Sequence, residues 1–295
     1  MPKSAEDIFR EKIDFLIKAE KRLDQAVIEH QRRLYELIIT EYLPRFVVVD
    51  GVIIDSPQNN ALIGELDALF NKLEKAMYRD VLGVFTADLL KSAEKSAEYY
   101  EALGFKKTVL SNLLKDKIRL EERLGITPLG TLRKDGYLYK LGQTAQVRQE
   151  LLSYVLSNLT GGTKFTDFQL GFRNLVIGNK RVKGLATAGS LQRYFDQFAY
   201  DTFNQMDSVV NSQIASNLNL KHFIYEGSLI ETSRKFCEKR AGKVFTIAET
   251  KTWKDDPDLV DKKTKDSYRP LIDRGRYRCR HFIKYITEEL YNSLK

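Results

Sequence analysis

The last quarter of the chain contains the two segments that decide the fold. Residues 232–246 read TSRKFCEKRAGKVFT, and residues 274–286 read RGRYRCRHFIKYI. Each segment carries one of the two cysteines of the chain, and the only tryptophan, Trp253, lies between them. The first segment has a helix-like pattern, and a strand is predicted over 279–286. Together they predict a small α+β module over 221–295.

The positive charge of the chain is concentrated in this module. The net charge is +8, and residues 221–295 hold 18 Lys and Arg against 12 Asp and Glu. Residues 1–220 hold 30 against 28. A basic module favours an anionic partner, such as nucleic acid or an acidic protein surface. The alternative is a solvated surface that keeps the protein soluble.

The chain before the module is predicted to be mainly helical. Its first helix carries apolar residues at heptad-like steps, and this stripe requires a partner helix in the same chain or in a neighbouring subunit. Asp50-Gly51 predicts a tight turn in a β-hairpin, and a second hairpin signal follows Lys134. The predicted helices span 4–43, 58–102, 106–124, 144–159, 167–176 and 190–219, and the predicted hairpins span 46–54 and 134–139.

The predicted fold is therefore mainly α, with a long helical N-terminal region, small β-hairpins and a small α+β C-terminal module. We divide the chain into a helical arm region over 1–145, a helical lead-in over 146–220 and the module over 221–295. No apolar run approaches the about 20 residues that span a bilayer, and the N-terminus lacks the apolar core of a signal peptide. We expect no membrane contact and synthesis in a cytoplasm.

Cys237, Cys279 and His281 are the candidate metal ligands. Cys-x-His on a strand places both side chains on one face, and Cys237 would add a third ligand for zinc. Structural zinc has four ligands, so His222 or a carboxylate would have to supply the last one. We expect instead that both cysteines are core thiols and that no cofactor is bound. The cysteines could also form an oxidised cross-link, or one of them could be a nucleophile activated by arginines.

Alternating arginines surround Tyr277 and are the candidate nucleic-acid contacts. On a strand, alternate guanidinium groups share a face and can follow a phosphate backbone beside an aromatic ring. The alternative is that they pair with the aspartates at positions 255, 256, 258 and 261. These candidates are Arg274, Arg276, Arg278 and Arg280.

The two segments together resemble the C-terminal domain of phage Mu F-like and SPP1 gp7-like minor head proteins, a family of phage head morphogenesis proteins. Two departures stand out, since many relatives have two cysteines near the first position, and Gly-Gly often replaces Gly275-Arg276. Both departures weigh against a metal site. The matching positions are Thr232, Arg234, Phe236, Cys237, Arg240, Gly242, Lys243, Phe245, Trp253, Gly275, Tyr277, Cys279, Arg280 and His281.

The resemblance implies a virion component of a tailed phage rather than an enzyme. Such a protein would contact the portal or the major capsid protein, would lie in the capsid interior or at the portal vertex, and would be present in the host cytoplasm during assembly. The basic module fits contact with phage DNA. The long helices fit self-association or helix pairing with other subunits.

Two further functions stay open. Some relatives fuse this module to toxin domains, so the chain could be a phage-delivered nuclease or toxin module that acts on RNA. Arg234, Tyr277, Arg280 and His281 would then bind and cleave the phosphodiester without a metal. The chain could also be a cellular helical adaptor in which the module only stabilises the fold.

Overall fold

The described part of the chain is mainly helical, with small antiparallel sheets, which confirms the predicted fold class. In that part, no helix combines the length and the apolar character needed to cross a membrane. The computed structural model describes residues 3–115, 125, 133–136, 139, 145–179, 187–259, 267–276 and 279–295.

The long helices are interrupted by short π-helical turns at Ile38–Tyr42 and Tyr78–Leu82, and 3-10 turns cover Leu43–Arg45 and Ala248–Asp255. The helices are α1 (Ala5–Leu37), α2 (Pro57–Met77), α3 (Gly83–Ala102), α4 (Lys107–Lys115), α5 (Ala145–Thr160), α6 (Phe165–Ile177), α7 (Ser190–Asn217), α8 (Lys235–Glu238), α9 (Pro270–Asp273) and α10 (Glu288–Leu294). The strands are β1 (Val48–Val49), β2 (Val52–Ile53), β3 (Gly178–Asn179), β4 (Thr187–Ala188), β5 (His222–Glu226), β6 (Val244–Thr246) and β7 (Phe282–Ile286).

The chain divides into two compact units, and neither is continuous in sequence. The predicted boundaries after residues 145 and 220 do not coincide with this division, because α1, α3 and α7 each contribute residues to both units. A helix continues with the same periodicity when its neighbours change, so its sequence does not mark such a boundary. The first unit comprises residues 1–18, 87–121 and 200–295, and the second comprises residues 19–86 and 122–199.

Helix α1 begins close to the predicted position. The backbone N–H of Asp7 donates to Ser4 Oγ at 3.2 Å, which is the expected N-cap. The helix ends at Leu37 rather than at residue 43, because a π-helical turn replaces its last residues. Its stripe is buried within the chain itself, so the partner that the pattern requires is supplied internally. The buried stripe residues are Phe9, Leu16, Leu23, Val27 and Leu34.

The second unit contains the predicted first hairpin. Asp50 and Gly51 have φ angles of 50° and 78°, which confirms the predicted turn. The buried side chain of Asn59 bonds both backbone groups of Val47, accepting at 2.8 Å and donating at 3.0 Å. It also donates to the carbonyl of Ile54 at 2.8 Å. One amide therefore fixes both ends of the hairpin against α2.

The first unit contains a three-stranded antiparallel sheet in the order β6-β5-β7. Phe223 on β5 is opposite Phe245 on β6 and Tyr285 on β7. The predicted last strand begins at Phe282 rather than at residue 279. Turns precede it because Arg274 and Arg276 have positive φ angles of 46° and 65°, which strands do not adopt.

Two predicted elements fall partly outside the described residues. They are the second hairpin over 134–139 and the end of the helix over 106–124, of which α4 (Lys107–Lys115) is described.

Candidate functional site

Four buried residues of the first unit form what we call the cysteine cluster: Tyr225, Cys237, Cys279 and His281. The two Sγ atoms lie 3.8 Å apart, and Tyr225 Oη lies 3.5 Å from each of them. Nδ1 of His281 lies 3.8 Å from Cys279 Sγ. The cluster joins β5, α8 and the turn before β7, so it connects the two ends of the module.

The backbone before β7 forms a turn and donates a hydrogen bond to the sulfur of Cys279. The N–H of Cys279 donates to the carbonyl of Arg276 at 2.9 Å, and the N–H of Gly275 donates to Cys279 Sγ at 3.3 Å. A Cβ on Gly275 would lie 2.5 Å from Cys237 Sγ and 3.2 Å from Cys279 Sγ. A glycine is therefore needed here because the backbone approaches both sulfurs.

His281 is held in a narrow slot with 3% of its surface exposed. Its ring stacks on Tyr225 with centroids 5.0 Å apart, and its other neighbour is Gly227, where a Cβ would lie 2.8 Å from His281 Cδ2. Gly227 also has a φ of 147°, which disfavours other residues. In the described part of the chain, Nε2 of His281 has no hydrogen-bond partner.

The two thiols share a hydrogen bond, which shifts their pKa values in opposite directions. The hydrogen bond from Cys237 lowers the pKa of Cys279 well below its usual value, against the effect of burial. Hydrogen bonds with His281 and Tyr225 lower the pKa of Cys279 further, and so does the positive charge of Arg274. The same hydrogen bond and burial raise the pKa of Cys237. Negative charge on the cluster is therefore favoured at Cys279 Sγ.

Aromatic rings surround the cluster and centre on Trp253. Arg240 lies between two of them, with its guanidinium carbon 3.7 Å from the ring centroid of Phe236 and 4.7 Å from that of Trp253. The guanidinium also donates to Asp256 at 2.6 Å and to the carbonyl of Phe236 at 2.8 Å. The rings in edge contact with Trp253 are those of Phe223, Tyr225, Phe236 and Phe245.

The pair of Arg240 and Asp256 predicts an acid sensitivity. Burial raises the pKa of Asp256, but hydrogen bonds from Arg240 and from the N–H of Asp258 outweigh it and lower the pKa overall. A carboxyl group whose pKa is lower in the folded than in the unfolded protein stabilises the fold at pH values above the unfolded pKa of about 4. This stabilisation is lost as the pH falls through the folded pKa. In urea unfolding, wild type is expected to be more stable than Asp256→Asn at pH 7.

The two proteins should converge as the pH falls below about 4. Glu238→Gln, which changes an exposed carboxyl of α8, is the control and should stay close to wild type. A difference between wild type and Asp256→Asn that stays constant down to acid pH would contradict this prediction.

The described residues of the predicted arginine strip do not lie on a strand, because Arg274 and Arg276 have positive φ angles and Arg280 precedes β7. Arg274 is 3% exposed, donates to Ser208 Oγ and therefore does not face solvent. The guanidinium of Arg276 lies 5.0 Å from the ring centroid of Tyr268. Arg280 is exposed, and Arg278 lies outside the described residues.

Two of the aspartates in the alternative pairing have cations other than these arginines as partners. Asp256 pairs with Arg240, and Asp258 pairs with Lys239. Asp261 lies outside the described residues.

The residues predicted for RNA cleavage do not share one exposed surface. Arg280 is exposed and Arg234 is half-buried, whereas the imidazole of His281 is buried against Tyr225. Tyr277 lies outside the described residues. A general base must come within hydrogen-bond reach of its substrate, and the position of His281 does not provide this. RNA cleavage stays a prediction without support from these contacts.

Tyr225 and Gly227 were not predicted as site residues from the sequence, whereas Gly275 is one of the positions that match the family motif. Tyr225 could have been found from the strand pattern of residues 222–226, since alternation puts it on the same face as Phe223. Gly227 gave no comparable signal, and the motif did not indicate that Gly275 contacts the two sulfurs. Their role depends on which side chains come close to them in space.

The cysteine cluster offers three metal-ligating side chains, Cys237, Cys279 and His281, whose ligand atoms lie within 4.8 Å of one another. Comparisons with protein-family models, with curated proteins and with solved structures found no match. The resemblance to phage minor head proteins therefore depends on the matching residues of the two segments alone.

Proposed function

We propose that the protein is a minor head protein of a tailed phage, a structural component of the virion that contacts the portal or the inner capsid. The observation that supports this proposal is that the two motif segments meet in one buried core. Cys237 from the first segment lies 3.8 Å from Cys279 of the second, and Gly275 contacts both sulfurs. Two chance matches in unrelated parts of a fold would have no reason to meet in this way.

The buried motif residues specify the module, so partner contacts must come from other side chains. The charge excess of the module is carried by exposed cations on its surface, which suit an anionic partner such as packaged DNA. DNA contact of this kind is electrostatic and weakens as the salt concentration rises. The exposed cations include Lys221, Lys235, Lys243, Lys251, Lys254, Arg280 and Lys295.

The test is mass spectrometry of purified particles and of proheads made by the genome that encodes this chain. We expect peptides of the chain in both, at fewer copies than the major capsid protein. A cytoplasmic host protein followed through the same gradient is the control for carry-over. Absence of the chain from particles and from proheads would contradict the proposal.

A further inference from the structure

Several distances between the polar atoms of the cysteine cluster are close to those of a tetrahedral metal site. With Zn–S bonds of about 2.3 Å and tetrahedral angles, two sulfur ligands of one zinc ion lie about 3.8 Å apart. The Sγ atoms of Cys237 and Cys279 lie 3.8 Å apart. The same geometry places an imidazole nitrogen about 3.6 Å from each sulfur, and Nδ1 of His281 lies 3.8 Å from Cys279 Sγ.

A hydroxyl group lies beside the two sulfurs. An oxygen ligand with a bond of about 2.0 Å lies about 3.5 Å from each sulfur of the same zinc ion. Oη of Tyr225 lies 3.5 Å from both Sγ atoms. We propose that the cysteine cluster is a structural zinc site, with Cys237, Cys279 and His281 as ligands and the Tyr225 hydroxyl at the fourth position.

The donor set favours zinc over calcium and magnesium. Thiolates and imidazole are the ligands of zinc, whereas calcium and magnesium take oxygen ligands. Two thiolates balance the charge of Zn²⁺, so the site as a whole is neutral and its burial is less costly. The N–H of Gly275, which donates to Cys279 Sγ, is the kind of surrounding contact that orients a metal-bound thiolate.

The buried imidazole also lacks a strong partner of its own. Its Nδ1 has only the long contact to Cys279, and its Nε2 has none in the described part of the chain. A bond from Nδ1 to zinc would replace this long contact with a strong interaction. The backbone at Gly227 and Gly275 lies so close to these ligands that any side chain at either position would clash with them.

A zinc ion here would link segments that are far apart in the sequence. Cys237 and Cys279 are separated by 42 residues, so the metal closes a long loop of the module. Because the ligands are brought together only in the folded chain, binding free energy stabilises the fold. This inference does not depend on the virion role proposed above.

The test begins with the zinc content of the full chain, purified under reducing conditions without added metal. We expect about one zinc ion per chain and a lower melting temperature after treatment with a chelator, restored by added Zn²⁺. A chain that carries no zinc, binds none when it is added and melts at the same temperature with chelator would overturn the proposal. So would an intact mass that shows Cys237 and Cys279 joined as a disulfide under these conditions.

Variants then assign the ligands. Cys279→Ser is expected to lose the bound zinc, whereas His222→Gln should keep it, because His222 stacks on Tyr291 at 4.2 Å, away from the cluster. Substitution of Co²⁺ into the folded chain should give the absorption of a tetrahedral site with thiolate charge transfer. Tyr225→Phe should retain the metal and change this spectrum. Full zinc content in a folded Cys279→Ser variant would overturn the assignment.

Discussion

Replacement of Asp207 by leucine is expected to destabilise the first unit by about 3–5 kcal/mol, because it leaves a buried ammonium group without its counter-charge. Nζ of Lys12 on α1 lies 3.1 Å from Asp207 Oδ2 on α7, and the two side chains are 3% and 4% exposed. Ser92 on α3 donates to the other carboxylate oxygen. One carboxylate therefore bonds two other helices in the interior of the unit.

The double variant Lys12→Met with Asp207→Leu separates two effects on stability: the destabilisation by an unpaired buried charge and the net contribution of the ion pair. Replacing both members of a buried ion pair by apolar residues is often neutral or stabilising. In urea unfolding, the free energy of unfolding of the double variant should therefore lie within about 1 kcal/mol of that of wild type. Each single variant should be much less stable than the double variant. Equal losses in the single and double variants would show that the pair itself supplies the stability.

The fold class was predictable from the sequence because it depends on local signals. The helix periodicity, the Ser4 cap and the Asp50-Gly51 turn each act over a few residues, and each is present as expected. The short strand β5 was predictable for the same reason, since aromatic and β-branched residues fill its centre.

The interior of the first unit was not predictable in the same way. The sequence of α7 predicts an apolar face, yet Asp207, Ser208 and Asn211 are also buried there. Their partners come from distant segments: Lys12 bonds Asp207, and Arg274 donates to Ser208. A charged residue is read as a surface residue unless its partner is known, and the sequence does not show which charges meet.

The candidate site shows the same limit. The sequence pattern indicated Cys237, Cys279 and His281, which the structure does bring together. It did not indicate Tyr225, whose hydroxyl lies beside both sulfurs and is the proposed fourth ligand. Histidine and carboxylates are the residue types expected to complete a zinc site. The sequence pattern also placed Arg274 on an exposed strand, since a positive φ at an arginine has no sequence signal.

Trp253→Ala is expected to destabilise the first unit by about 3–5 kcal/mol, the usual cost of emptying a large core site. Trp253 is buried and makes edge contacts with four rings, so its removal leaves a cavity at the centre of the aromatic cluster. It also removes one of the two rings beside Arg240, whose Nε has no hydrogen-bond partner among the described residues. The buried guanidinium would then be poorly solvated.

Because Trp253 is the only tryptophan of the chain, unfolding of this variant must be followed by circular dichroism rather than by tryptophan fluorescence. Thr252→Ala, at an exposed neighbouring position, is the matched control and should stay within about 0.5 kcal/mol of wild type. The stability of Trp253→Phe should lie between those of Trp253→Ala and wild type, because the smaller ring keeps part of the edge contacts and part of the contact with Arg240. A loss below about 1 kcal/mol in Trp253→Ala would mean that the surrounding rings close the cavity, and that Trp253 does not organise this core.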